Sequence, residues 1–444
     1  MKKILYIILP VILIVISYFV VAGIYPKATG RFPVFVVLFL LDIYLFVALK
    51  HKVKTCHTWK RRLLWVAYWS PLLVLASFIF SNLFLPYSEW NKSVRAYMMG
   101  FVIISYTSKM VVATFFIISD LIKYASLLLK KRKEESEEHV GETITRGAFI
   151  KKVGLVTGGL LFGTLLTGMF RWVYDFNIIK TKIRIPDLPE SFNGLRIVQL
   201  ADMHLGNWLS EDELKEAVEM INELDADLFF FTGDLVNYRT DEAFEYEHIL
   251  KRIKAKYGSY SVLGNHDYGD YSTWPSDAAK ENNMIQMYDL NKRLGWNLLL
   301  NENEIITKGD DSIAIIGVQN WGSYARFQRF GNLKEAVTGA EDVPVKILLS
   351  HDPTHWQYKV RQSDIHIDLT LAGHTHGGQF GFEIKGVRWS PAQYAYKYWA
   401  GLYSDKKASP GKPKYLYVNR GLGVVGYPGR VGMKPEITVI EIES

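Results

Sequence analysis

Long apolar stretches dominate the first third of the chain. They cover residues 4–24, 32–49, 63–85, 98–122 and 153–170, and tyrosine and tryptophan cluster near their ends. A helix needs about 17–25 apolar residues to cross a bilayer, and interfacial aromatic residues commonly flank such helices. The pattern therefore predicts an all-α transmembrane region of about five helices within residues 1–175, of which the Gly-rich fifth stretch fits least well.

A different pattern begins near residue 195. Helical spacing of apolar residues marks 210–224 and 243–254. Short apolar runs, typical of buried strands, lie at 195–201, 227–232, 259–263, 313–318, 345–350, 367–372, 415–419 and 436–442. Alternating strands and helices predict an α/β domain over residues 176–444, long enough for one large core. A charged loop at 128–150 lies within the membrane region.

Basic residues flank the apolar stretches unevenly. Residues 50–62 contain six Lys or Arg, and residues 130–133 read Lys-Lys-Arg-Lys, whereas the two intervening loops are poorer in both. Cytoplasmic loops are the ones enriched in Lys and Arg. The N-terminus and both basic loops are therefore predicted to be cytoplasmic in a multi-pass protein. If the fifth stretch crosses, the α/β domain is extracytoplasmic; if it does not, that domain faces the cytoplasm.

The composition of the chain excludes several kinds of function and site. The chain has 52 Lys and Arg against 45 Asp and Glu, and a net charge of +7 over 444 residues does not indicate nucleic-acid binding. The single cysteine, Cys56, excludes a disulfide framework and any cysteine-based zinc site. Three ionisable residues lie inside predicted membrane helices, where charge is costly. Asp42 and Lys109 lie at similar depths and are expected to pair, whereas Asp120 is expected to reach the interface.

Polar side chains follow five of the predicted strands. The residues concerned are Asp202 and His204, Asp234, Asn265 and His266, His351, and His374 and His376. Ligands of open α/β sheets bind outside the carboxyl ends of strands, so these side chains can meet at one edge. Imidazole and carboxylate without thiolate suit Zn²⁺, Mn²⁺ or iron. Seven of these eight residues as donors already exceed the needs of one tetrahedral ion and predict two divalent metal ions.

The order of these motifs resembles the calcineurin-like metallophosphoesterase superfamily. The blocks Asp202-x-His204, Gly233-Asp234, 264–267 (Gly-Asn-His-Asp), His351 and 373–376 (Gly-His-Thr-His) all occur in sequence. The runs 195–201, 376–379 and 418–423 further resemble bacterial membrane-linked or exported phosphodiesterases. The resemblance implies a four-layer α/β/β/α sandwich. It covers about residues 195–380 and leaves the membrane region unexplained.

Roles follow from the resemblance, position by position. It implies that Asp202, His204 and His376 hold one metal, that Asn265, His351 and His374 hold the other, and that Asp234 bridges both. His266 would be catalytic, protonating the leaving oxygen or steadying the phosphate charge, and Asp267 would fix its ring. The nucleophile would be a metal-bound hydroxide.

The sequence thus predicts a membrane-anchored phosphoesterase of a bacterial inner membrane. It would hydrolyse a phosphodiester or pyrophosphate bond, with an envelope or lipid-linked substrate. One alternative is a cytoplasm-facing pyrophosphohydrolase acting on a nucleotide-lipid of the UDP-diacylglucosamine type. Others are a phosphoprotein phosphatase and a non-catalytic membrane receptor. Measured turnover and substrate preference distinguish them.

Several features fall outside this assignment. The run 421–426 matches a dinucleotide fingerprint, but 427–429 (Tyr-Pro-Gly) replaces the required helix, so a loop is predicted. Asn419, Arg420 or Arg430 in this region is a candidate for binding substrate phosphate. His355 is equally compatible with the substrate rim and with a structural role. The aromatic segment 389–403 is a candidate for contact with lipid or glycan, with ordinary packing as the alternative.

Overall fold

The structure is a computed structural model that describes residues 15–19, 22–23, 30, 32–81, 90–130, 145–406 and 411–444. It divides into two compact units, Met1–Thr167 and Gly168–Ser444. The N-terminal part contains four long helices: α1 (Phe32–Lys54), α2 (Thr58–Ser81), α3 (Lys92–Lys130) and α4 (Arg146–Phe170).

Three segments within these helices are long and apolar enough to cross a membrane: Phe32–Lys54, Lys92–Leu128 and Arg146–Phe170. They correspond to three of the five predicted stretches, including the Gly-rich fifth. Helix α2 covers most of the third stretch, and the first stretch lies largely outside the described residues. The count of about five helices remains a prediction.

Ion pairs compensate the charges inside the helical bundle. The expected partners meet, because Lys109 Nζ of α3 lies 2.6 Å from Oδ1 of the fully buried Asp42 of α1. The hydroxyl of Tyr106 donates to Asp42 Oδ2 at 2.8 Å. Asp120, which was expected to reach the interface, has a partner that was not expected, because Lys151 of α4 lies 2.6 Å from its carboxylate. Pairing lowers the cost of placing a charge among apolar helices.

The second unit contains two six-stranded sheets. The first has the order β1 (Asn177–Arg184), β14 (Glu436–Glu443), β2 (Leu195–Leu200), β3 (Leu228–Phe231), β4 (Ser259–Ser261) and β5 (Trp296–Leu298). The second has the order β12 (Gly401–Asp405), β13 (Lys414–Val418), β9 (Leu369–Ala372), β8 (Lys346–Leu349), β7 (Asp311–Gly317) and β6 (Glu302–Lys308). Strands β2, β3 and β4 run parallel in one sheet, and β7, β8 and β9 do so in the other. A separate hairpin pairs β10 (Phe382–Ile384) with β11 (Val387–Trp389).

The two sheets share one apolar core. Alternate residues of the central strands enter it, for example Ile197 and Phe230 from the first sheet and Leu349 from the second. The opposite faces are also buried, as expected of parallel strands covered on both sides. Helices α5 (Asp212–Asn222), α6 (Glu247–Leu250) and α7 (Asp277–Leu294) cover the first sheet, and α8 (Leu333–Ala336) covers the second. The predicted mixed α/β domain after a helical region is confirmed.

Candidate metal centre

The candidate ligands follow the carboxyl ends of five parallel strands. In the first sheet, Asp202 and His204 follow β2, Asp234 follows β3, and Asn265 and His266 follow β4. In the second sheet, His351 follows β8, and His374 and His376 follow β9. Because β2, β3 and β4 run parallel in the first sheet, and β8 and β9 do so in the second, the carboxyl ends of these strands lie at a common edge within each sheet. The structure brings seven of these residues into one cluster, and Asn265 precedes His266 directly in the chain.

The backbone at this edge is unusual. Five of the cluster residues have left-handed φ angles: Asp202 (52°), His204 (48°), Asp234 (60°), His374 (72°) and His376 (52°). Residues other than glycine rarely adopt this conformation, and such strain concentrates at functional sites.

The close approach of two loops explains one glycine. A Cβ atom at Gly264 would lie 2.2 Å from Asp234 Oδ1. The N–H of His266 donates to the same Oδ1 at 2.8 Å. Gly264 is therefore needed so that the loop after β4 can approach the carboxylate that follows β3.

Three groups of side chains have the spacing of a metal site. Each combines carboxylate oxygens and imidazole nitrogens that all lie within 4.8 Å of one another: Asp202, His204 and His376; Asp234, His351 and His374; and His204, Asp234 and His266. The first contains the members of one ligand set that the sequence implied, and the second contains His351 and His374 of the other set together with Asp234. Asp234 also belongs to the third group, which shares His204 with the first.

Ring nitrogens face each other within the first two groups. Nε2 of His204 lies 3.0 Å from Nε2 of His376, and His376 Nε2 lies 3.5 Å from Asp202 Oδ1. Nδ1 of His374 lies 3.2 Å from Nε2 of His351. Two lone pairs at such a distance repel each other unless a proton or a cation lies between them.

Asp234 lies between the two groups. Its Oδ2 is 3.2 Å from His351 Nε2 and 3.6 Å from His204 Nε2.

Asn265 is also buried, and its Nδ2 donates to the hydroxyl of Tyr271 at 2.9 Å. Within the described part of the chain, the buried Asn265 Oδ1 has no hydrogen-bond partner. An orphaned amide oxygen beside imidazoles and carboxylates suits a cation ligand.

The electrostatics also favour a cation. Burial lowers the pKa of His204 to about 3 and that of His374 to about 4, so both rings are neutral near pH 7. Burial raises the pKa of Asp202 to about 8, although nearby His351 opposes this shift. Burial alone would lower the pKa of His351, but the attraction of Asp234 raises it to about 10. Neutral imidazole is the form that binds metal, so His204 and His374 already have that form near pH 7, whereas His351 would release a proton when an ion binds.

His266 is oriented differently from the other histidines. Its Nδ1 lies 2.7 Å from the carbonyl oxygen of Asn237. Since a carbonyl only accepts hydrogen bonds, Nδ1 carries the proton and Nε2 faces away from this contact. The ring packs against the tilted ring of Tyr271, with 4.4 Å between centroids and 38° between the planes.

The role expected for Asp267 is corrected. Its carboxylate does not hold the ring of His266 but accepts backbone N–H groups of Asp234, Leu235 and Gly264, each at 2.8 Å. Asp267 thus ties the loop after β3 to the loop after β4. Both loops carry candidate ligands, so Asp267 helps to fix the position of Asp234 in the site.

Two residues around His374 were not found from the sequence. The hydroxyl of Tyr396 lies 2.9 Å from His374 Nε2, and Asp352 Oδ2 lies 3.6 Å from the same nitrogen. Such outer partners fix the tautomer of a ligand histidine and direct its other nitrogen, here Nδ1, towards the metal. The aromatic density of 389–403 was the available signal for Tyr396, but it did not specify this contact.

The expectation that Asn419, Arg420 or Arg430 binds substrate phosphate was wrong. Arg430 is fully buried and donates to the backbone carbonyls of Arg420 and Gly421, both at 2.9 Å. Arg420 is 5% exposed and pairs with Glu383, and Asn419 is fully buried. Their contacts stabilise the loop 421–426, which contains no helix. Within this loop, Gly421 packs against Asp202 and His376.

Three other histidines of the α/β domain lie outside the cluster. His355 is buried, its Nδ1 lies 2.9 Å from Ser350 Oγ, and burial lowers its pKa to about 3. The structural role for His355 is therefore the better one. The side chain of His248 is 62% exposed, and His366 Nε2 lies 3.2 Å from Asp368.

A groove of about 670 Å³ opens beside His374. Tyr396, which contacts His374, forms part of its wall. Aromatic and basic side chains predominate in its lining: Trp321, Tyr324, Tyr358, Arg329, Lys359 and Lys397. Among the described residues, these three cations have no carboxylate partner within ion-pair distance.

Comparison with known proteins gives two matches to family models. Residues 195–378 match "Calcineurin-like phosphoesterase", and residues 29–172 match "Probable Calcineurin-like phosphoesterase, transmembrane domain". The second match includes helices α1 to α4.

Similar proteins carry corresponding names. The "Uncharacterized metallophosphoesterase YkuE" of Bacillus subtilis is 29% identical over 312 residues, which cover 68% of this chain and 98% of that protein. The "Transmembrane protein with metallophosphoesterase domain" of Danio rerio is 28% identical over 338 residues, covering 74% and 70% respectively. Among solved structures, the sulfate thiohydrolase SoxB of Thermus thermophilus is 12% identical, with a TM-score of 0.32 and coverage of 58% and 57%.

Proposed function

The chain carries a calcineurin-like metallophosphoesterase domain after an N-terminal transmembrane domain, and on this basis we propose that it hydrolyses a phosphodiester or pyrophosphate bond using two divalent metal ions. The observation that carries the proposal is the cluster itself. Carboxylates and imidazoles that follow five strand ends form three groups. Within each group, the oxygen and nitrogen atoms lie within 4.8 Å of one another. Buried imidazoles on both sides of the Asp234 carboxylate are suited to a pair of ions.

The proposed ligand sets are those described above. Asp202, His204 and His376 would hold one ion, Asn265, His351 and His374 the other, and Asp234 both. When bound, such ions activate water and stabilise negative charge on a phosphoryl group. Mn²⁺, Zn²⁺ and iron all match the donor set.

The chain's own residues would complete the site. His266 presents Nε2, while Asn237 holds its Nδ1 proton, so the doubly protonated ring would donate the proton on Nε2 to the leaving oxygen and return to the neutral form with Nδ1 protonated. The basic and aromatic groove beside His374 would receive the rest of the substrate. An envelope or lipid-linked phosphoester fits the proposal, because the transmembrane domain keeps the enzyme at a bilayer.

Metal removal tests this function directly. The full chain, purified in mild detergent, is assayed with bis(p-nitrophenyl) phosphate before and after chelation. Chelation is expected to lower turnover at least about a hundredfold, and Mn²⁺ or Zn²⁺ to restore it. p-Nitrophenyl phosphate, a monoester, serves as the comparison substrate. Turnover that persists in metal-free protein would contradict the proposal, and preference for the monoester would favour a phosphatase.

The side of the membrane is a separate proposal. We infer that α4 crosses the bilayer and that the catalytic domain is extracytoplasmic, with the N-terminus in the cytoplasm, because α4 is a candidate span and residues 130–133 are basic. A periplasmic reporter fused after Ser444 is expected to be active, and the same reporter fused after Lys130 inactive. The opposite pattern at Ser444 would support a cytoplasm-facing hydrolase.

A further inference from the structure

The β10–β11 hairpin lies outside both large sheets. Within the described ranges, its two strands pair with each other and with no other strand, in the register Phe382 with Trp389, Glu383 with Arg388, and Ile384 with Val387. The two turn residues have positive φ angles, 48° and 83°, which match a tight hairpin turn. A two-stranded hairpin has little stability of its own, so contacts with the rest of the domain must hold it.

The two faces of the hairpin differ sharply. Residues paired across an antiparallel ladder share a face. Glu383 and Arg388 therefore point to one side, where Glu383 pairs with Arg420 at 2.5 Å and Arg388 lies over the Trp399 ring at 5.4 Å. These two contacts attach the hairpin to the domain through its polar face.

The other side, called here the docking face, consists of Phe382, Ile384, Val387 and Trp389. Ile384 is 62% exposed and Val387 63%, and the rings of Phe382 and Trp389 stack at 5.8 Å. Lys385 is exposed at the turn and, in the described part of the chain, has no carboxylate partner. The hairpin thus presents apolar side chains outward and a cation at its tip.

The attachment leads directly to the metal centre. Arg420, which holds Glu383, is followed by Gly421, and a Cβ atom there would lie 2.7 Å from Asp202 Cβ and 3.2 Å from His376 Nδ1. The hairpin itself begins six residues after His376. The docking face and the candidate ligands therefore belong to one connected set of loops.

We propose that the docking face inserts into the surface of a lipid bilayer containing anionic phospholipid. Aromatic and aliphatic side chains on a protruding element favour the interfacial zone, and Lys385 complements anionic headgroups. A candidate membrane helix ends a few residues before the domain, so the hairpin is tethered to a bilayer. Because the tether raises its effective concentration at the membrane, a low intrinsic affinity for lipid is enough for the docking face to insert.

A bilayer suits this surface better than a protein partner does. Stable protein interfaces use about 20–30 residues on each side, whereas the docking face has four. The proposal does not depend on catalysis, so it can fail while the proposed hydrolase function stands. If both hold, the hairpin places the loops of the metal centre at the membrane surface, where lipid-linked phosphoesters reside.

Fluorescence quenching tests the insertion in the full chain. Cys56 is replaced by serine, and an environment-sensitive fluorophore is attached in an Ile384→Cys variant and, separately, in a Val387→Cys variant. The matched control is Ile285→Cys, because Ile285 is also exposed but lies on α7. Each protein is reconstituted in vesicles of phosphatidylcholine and phosphatidylglycerol, with or without nitroxide-labelled lipid.

Emission from positions 384 and 387 is expected to fall several-fold with nitroxide lipid and to resist aqueous iodide, while position 285 shows the reverse. Lys385→Glu should weaken lipid quenching at position 384 when phosphatidylglycerol is present. Equal access of iodide to all three positions would overturn the proposal. Protection from iodide without lipid quenching, together with cross-links between two copies, would also overturn it and identify a dimer contact instead.

Discussion

Replacing Asp234 with asparagine is expected to lower phosphodiester turnover by about two to four orders of magnitude and to reduce the bound metal. Asp234 Oδ2 lies between His351 Nε2 and His204 Nε2, at 3.2 Å and 3.6 Å. An amide has nearly the same shape but no charge, so the two proposed ions would lose the anionic ligand that they share. The attraction that raises the pKa of His351 to about 10 is also lost.

The measurement combines turnover with metal content. Elemental analysis of the purified full chain gives the ions per protein, and thermal unfolding shows whether the variant folds. Asp368→Asn is the matched control, because Asp368 is another buried aspartate beside a histidine, His366, outside the cluster. The control is expected to retain metal and turnover. Wild-type turnover and metal content in Asp234→Asn would show that this carboxylate is no shared ligand.

The candidate ligands could be predicted from the sequence because they follow the ends of strands within a few residues. Asp202, Asp234 and His351 each follow a short apolar run by a few residues, so the direction of the strand determines where the side chain lies. Parallel strands then bring these ends together without further information. The ligand assignment itself stays a prediction until metal is measured.

The groups that position the ligands could not be predicted in this way. Tyr396 and Asp352 reach His374 from segments far apart in the chain, and Asn237 holds His266 through a backbone carbonyl that no motif specifies. The same limit explains Asp120: its partner Lys151 belongs to another helix, so the sequence around Asp120 does not reveal the pair.

The strands that could be predicted from the sequence are those that are buried on both faces of a sheet. Strands β2, β3, β8 and β9 are almost wholly buried and read as apolar runs. Strand β6 is largely exposed, and α7 buries only scattered residues among many polar ones, so neither has a strong pattern. Residues 243–254 were predicted as one helix, but a 3₁₀ turn at Thr240–Tyr246 precedes the short α6.

Replacing His266 with alanine is expected to lower kcat by about two to four orders of magnitude while leaving both metal ions bound. The Nδ1 proton of His266 is engaged by the Asn237 carbonyl, so Nε2 is the nitrogen available to a leaving oxygen. Yet His266 also lies within 4.8 Å of His204 and Asp234, in a group with the spacing of a metal site. Metal content therefore separates a proton donor from a ligand.

Leaving-group dependence sharpens this test. A proton donor matters most when the departing alkoxide is strongly basic and least when it is a nitrophenolate, because the nitrophenolate departs without protonation. The loss in His266→Ala is thus expected to be larger with an alkyl diester than with bis(p-nitrophenyl) phosphate. His248→Ala, at an exposed histidine, is the control and should match the wild type with both substrates. An equal loss with both substrates, accompanied by about one ion fewer per chain, would instead identify His266 as a metal ligand.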